Sequence, residues 1–102
     1  MLTFTNAAEQ AAWTMAEAFS EKALVAMKSA EEAQDVFRKG RMAMRRQFKA
    51  RGLSEIDASI RWKSTSQAQA ALADHEFYMQ EASMYNEAAA AQYAKALYLK
   101  GR

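Results

Sequence analysis

From Ala12 to Phe37 the chain sets down an apolar residue at alternating steps of four and three, through Ala16, Phe19, Ala23, Ala26, Ala30 and Ala33. Those steps return to the same side of an α-helix each time, so they specify a coiled-coil-like seam. A second run with the same steps follows at Ala68, Leu72, His75, Met79, Ala82, Asn86, Ala89, Tyr93 and Ala96. Two long seams joined by a turn predict an antiparallel helical hairpin. Because most seam positions are Ala, the helix axes can come close together, yet each contact buries little apolar area and two helices alone enclose no core. The fold class read from the sequence is therefore all-α: an antiparallel Ala-rich helical hairpin with a short connecting helix, packing into a larger helical bundle or assembly.

Nothing in the composition competes with that reading. The 102 residues contain no Pro and only three Gly, at positions 40, 52 and 101, and about a quarter of them are Ala, the best helix former. Residues 1–102 are expected to form a single domain. Asn6 and Glu9 have capping-box spacing and predict a helix start near Ala7. Ser29 and Glu32 repeat that spacing, but the seam runs through them without a change of phase, so one helix is expected over about 7–39. Gly40 marks a weak point where the helix bends or stops before continuing toward Arg51, and Gly52 is the firmer terminator, at a C′ position after basic residues. Ser54 with Asp57 predicts a short helix over about 54–62, and the Ser64-Thr65-Ser66 cluster with Gln67 a last one over about 66–99. Whether those two merge is left open by the sequence.

Phe77, Met84, Ala91 and Tyr98 recur every seven residues on a face nearly opposite the His75 and Ala82 side. A helix apolar on two sides is normally covered on two sides. Trp13, Met15, Leu24 and Met27 also lie outside the first seam. Either the connecting helix folds back over these side chains, or a second copy or a larger partner covers them.

Catalysis finds little support. There is no Cys and one His, and Asp74, His75 and Glu76 diverge by about 100° per residue on a helix, so they do not converge on one atom. No metal-binding, dinucleotide or phosphate-loop motif is present. The reading is of a non-enzymatic protein without cofactor, metal or small-molecule substrate. His75 and Asn86 are better understood as polar seam residues that fix register or partner choice. The start MLTFTNAAEQ lacks the basic and apolar regions of a secretory signal, and no apolar run is long enough for a membrane span, so a cytoplasmic location is expected.

Charge is the most distinctive functional signal. The net charge is +2, yet residues 1–35 carry six acids against two Lys, whereas residues 36–63 carry nine Lys and Arg against two acids. Between Asp35 and Glu55 lie seven bases and no acid: Arg38, Lys39, Arg41, Arg45, Arg46, Lys49 and Arg51. On a helix, Phe37, Met44 and Phe48 share one face and Arg38, Arg45 and Lys49 another, with Arg41 beside the apolar set. Such a basic amphipathic helix suits an acidic protein surface, nucleic-acid phosphates or, least of the three, an anionic membrane surface, and Trp62 between Arg61 and Lys63 offers a stacking side chain. The bland alternative is a solvated helix end that complements the helix dipole, or an intramolecular match to the acidic residues 1–35.

The length and two-helix plan resemble the small secreted helical hairpins defined by a Trp-x-Gly turn, but residues 45–66 offer only Arg51-Gly52 and Trp62-Lys63-Ser64 in place of that turn. Ala89, Tyr93 and Ala96 are similar to part of a tetratricopeptide repeat, without its period. Neither resemblance assigns a family. The functional expectation is an adaptor or assembly component, of the kind a phage or mobile element encodes, that oligomerises or docks on a larger protein. The expected contact residues are Arg38, Lys39, Arg41, Met44, Arg45, Arg46, Phe48, Lys49, Arg51, Trp62, Phe77, Met84 and Tyr98. The alternative is a nucleic-acid-binding regulator using residues 38–63.

Overall fold

A computed structural model describes residues 3–102; Met1 and Leu2, which the signal-peptide reading included, lie outside the described residues. The described chain is all-helical, with α1 over Ala7–Ala50, α2 over Glu55–Lys63 and α3 over Ser66–Leu99. The two long helices pack as a helical hairpin, and α2 and α3 are separate helices.

Helix ends follow their capping chemistry. The Asn6 carboxamide oxygen accepts from the Glu9 N–H at 2.8 Å, the first half of the capping box. The second half is displaced by one residue, since Glu9 reaches back to Thr5, accepting from its N–H at 2.9 Å and its hydroxyl at 2.5 Å. After Ala50, Gly52 adopts φ 72°. The Gly52 N–H donates to the Lys49 carbonyl at 3.0 Å and the Leu53 N–H to the Phe48 carbonyl at 2.8 Å, the paired bonds of a Schellman turn. Ser54 Oγ accepts from Ile56 N–H at 3.1 Å and opens α2, and Thr65 Oγ1 accepts from Ala68 N–H at 3.1 Å and opens α3.

The described residues divide into two compact units, one of residues 3–27 with 80–102 and the other of residues 28–79. In the first, Trp13 meets Tyr93 edge to face at a 5.0 Å centroid distance, and Phe19 stacks with Tyr85 at 6.3 Å. Together with Asn6 Nδ2 donating to the Leu99 carbonyl at 2.9 Å, these pairs place early α1 residues against late α3 residues, an antiparallel arrangement. Gly101 N–H also donates to Thr5 Oγ1, so the helix start and the chain end are tied together.

The first seam is buried as the spacing predicts, with Ala12, Ala16, Ala23, Ala26, Ala30 and Ala33 all buried and Phe19 and Phe37 half-buried. The second seam corrects the prediction in phase at its first three intervening positions, whereas the fourth, Tyr93, is half-buried against Trp13 as the spacing predicts. Ala68, His75, Ala82, Ala89 and Ala96 face inward, but the intervening positions are Ala71, Tyr78 and Tyr85, while Leu72, Met79 and Asn86 are exposed. The four-three pattern and its three-four mirror share every seventh residue and differ by one position between them. Packing chose the set that carries Tyr85 onto Phe19 and a small Ala71 into the contact. Asn86 is consequently no seam residue.

In the second unit α1 passes Gly40 without a break, because Gly40 is itself the next seam step after Phe37. Its missing side chain is filled by Trp62 of α2. A Cβ placed on Gly40 would fall inside the indole, 2.7 Å from Cζ3 and closer still to Cη2 and Cζ2. Trp62 is 4% exposed and also packs on Phe37 at a 5.9 Å centroid distance. Ala58, one turn earlier on α2, is buried with it. Apart from Trp62, every buried apolar residue described is Ala.

Acid should loosen the capped start of α1. The Thr5 hydroxyl, then the Thr5 N–H, hold the Glu9 carboxyl below its ordinary value of 4.5, with Lys100 adding to the effect. A carboxyl depressed in the folded state contributes stability above its unfolded value, and that contribution disappears as pH falls through the folded value. The melting temperature is therefore expected to hold from neutral pH to about 5 and to decline below about 4.5. Glu9→Gln should lower it at pH 7 and flatten part of that decline; an unaltered acid profile in Glu9→Gln would refute the role of this carboxylate.

Candidate functional site

The basic run lies almost entirely on the last four turns of α1, with Arg51 in the turn that follows. Lys39, Arg46, Lys49 and Arg51 are exposed, while Met44 and Phe48 are half-buried against their own unit. Arg38 is exposed and pairs with Asp35 one turn back at 2.9 Å, a surface contact worth little stability. Arg45 reaches across to Glu55 at the start of α2, at 2.8 Å. The Arg45 hydrogen bond, then its charge, with Lys49 behind it, hold the Glu55 carboxyl below its ordinary range. This pair ties the first turn of α2 to the basic end of α1.

Trp62 is withdrawn from the contact surface. Its ring fills the space above Gly40, and its Nε1 is buried with no acceptor among the protein atoms, so no face is left for a base or a partner to stack on. Phe77 belongs to the second unit and is 55% exposed, edge to face with Tyr78. Met84 and Tyr98 belong to the first and are 67% and 64% exposed; the Arg102 guanidinium lies over the Tyr98 ring at 4.2 Å.

Sequence reasoning passed over the outer face of α2. Ala58 and Trp62 define its buried side, and Ile56 and Ile60 sit two residues earlier, about 200° around the helix. They are among the most exposed large apolar side chains described, at 73% and 62%, and Leu53 beside them in sequence is half exposed. The signal was present, since the nine residues of α2 hold two apolar i,i+4 pairs out of phase with each other. Around Ile56 and Ile60, with Arg45, Glu55, Ser59 and Lys63, the surface forms a shallow hollow of about 400 Å³. A neighbouring hollow of about 280 Å³ is lined by Met42, Arg45, Arg46, Lys49 and Glu55. The result is a surface that is apolar at its centre and charged at its rim, where Arg45, Arg46, Lys49 and Lys63 outnumber the single acid Glu55.

A third concavity, about 560 Å³, opens between α1 and α3 within the second unit, along Gln34, Asp35, Phe37, Arg38 and Arg41 on one side and Ala71, Leu72 and His75 on the other. His75 is half-buried there, whereas Asp74 and Glu76 are exposed. Among the described residues no cluster of His, Cys, Asp or Glu side chains is arranged to hold a metal ion, and no described helix is long and apolar enough to cross a membrane.

Fold and surface together define a class: an Ala-packed helical hairpin whose connecting helix carries an apolar patch beside a basic helix end. No protein-family profile, curated protein or solved structure matches the chain.

Proposed function

We propose that this protein is a helical interaction or assembly module that works by docking protein surfaces, including those of its own copies, through the outer face of α2 and the basic end of α1. The observation that carries the reading is the pair Ile56 and Ile60, exposed side by side within a rim of Arg45 and Lys63. An apolar centre with a charged rim is the composition of a protein interface, and a phosphate backbone has no use for two isoleucines. The acidic residues 1–35 of a second copy carry the complementary charge.

Light scattering should report a dimer or larger species. Ile56→Asp with Ile60→Asp should shift it to monomer with helix content retained, because both side chains already face solvent. A stable monomer of the unaltered protein would count against self-docking. Nucleic-acid binding is expected to be weak at physiological salt. Binding through phosphates would instead be tight and fall log-linearly with salt, with a slope of about 0.9 per contact on duplex DNA. Submicromolar DNA affinity lost on changing Arg45, Arg46 and Lys49 together to Gln would replace the docking reading with the regulatory one.

A further inference from the structure

The groove between α1 and α3 shares no lining residue with the α2 surface and has a different chemistry. Its volume, about 560 Å³, falls within the range of small-ligand sites. Phe37 and Leu72 give it apolar walls; Leu72 is 44% exposed because packing placed the shorter Ala71 in the seam. Into this apolar setting α1 brings two guanidinium groups. Arg38 is engaged by Asp35. Arg41 is not, and its Nε is buried with no acceptor. A guanidinium stays charged at any relevant pH and presents parallel N–H donors that match two oxygens of one carboxylate, and a buried donor without a partner is destabilising.

We propose that this groove binds a carboxylate carried on a hydrocarbon group, with Arg41 taking the carboxylate, His75 beside it as a further polar contact, and Phe37 and Leu72 holding the hydrocarbon. The charge balance selects a monoanion. Two guanidiniums against the Asp35 carboxylate leave one positive charge, which one carboxylate neutralises, whereas a phosphate dianion would leave a negative charge facing Asp35. The C-terminal residue of a peptide and a free aliphatic acid present the same group.

Titration calorimetry on the intact chain tests this with octanoate, octyl phosphate and octanol, and with a short Leu-ending peptide as free acid and as amide. Octanoate or the free-acid peptide should bind, and octanol and the amide should be weaker by about tenfold or more. The tighter of the two acids identifies the source. Arg41→Gln should weaken carboxylate binding by about tenfold, and Leu72→Asp, at a side chain already open to solvent, should remove it with the circular dichroism spectrum unchanged. Octanol binding as well as octanoate, octyl phosphate binding more tightly, or dissociation constants above about 1 mM for both acids would each overturn the proposal. Leu72 lies on α3, outside both the α2 face and the basic end of α1, so self-association should persist in Leu72→Asp, which separates failure here from failure of the docking reading.

Discussion

Gly40→Ala is expected to destabilise the protein, the reverse of what this exchange does in an ordinary helix. In a solvent-facing helix interior Ala is favoured over Gly by about 1 kcal/mol. At position 40 the new methyl would overlap the Trp62 ring. The ring has no room to retreat, being 4% exposed and packed on Phe37. Overpacking of a filled site costs about 1–3 kcal/mol, so the steric effect outweighs propensity and the melting temperature falls. Trp62→Ala should cost more, about 3–5 kcal/mol, since it empties the one large buried side chain of the second unit. The decisive measurement is the double variant. With Trp62 already Ala, the space above Gly40 is open, and adding Gly40→Ala should raise stability by up to about 1 kcal/mol. If Gly40→Ala on its own melts above the parent protein, the indole does not sit on this glycine.

Leucine at Ala26 or Ala89 should have the next largest effect. Both side chains are 4% or less exposed, and both face seams in which nearly every neighbour is also Ala. Close helix approach leaves no pocket for three further carbons, so each change is expected to cost about 1–3 kcal/mol and to lower the melting temperature clearly. Leucine at Ala7 or Ala50, both exposed at the ends of α1, should change it little. Chemical denaturation of the four variants side by side provides the comparison, and equal tolerance at all four positions would mean that the helices do not pair along these columns.

The candidate surface was half legible in the residues. The basic run from Arg38 to Arg51 stands out by composition, and its placement on the end of α1 follows from the helix that carries it. Ile56 and Ile60 were passed over because a short helix with two apolar pairs does not announce which pair is buried. Trp62 settles that choice by docking on Gly40, and this docking turns both isoleucines outward.

By itself the sequence determined what depends on neighbours along the chain. Helix content follows from abundant Ala and absent Pro; the cap at Asn6 and the turn at Gly52 follow from side chains and a backbone conformation that act within a few residues. The first seam was fixed as well, because its spacing admits one inward face. Only the tertiary structure decided the phase of the second seam, between Leu72, Met79 and Asn86 and their neighbours Ala71, Tyr78 and Tyr85. Both sets are helical and both lie beside the shared positions, so the choice rests on what α1 presents opposite: Phe19 for Tyr85 to stack on. Gly40 was likewise decided from outside its own helix. Read locally it is a weak link; with an indole filling its missing side chain it is the contact that anchors α2. A glycine's cost is set by its own backbone, but its value is set by whatever fills the space it leaves, and that residue lies more than twenty positions away.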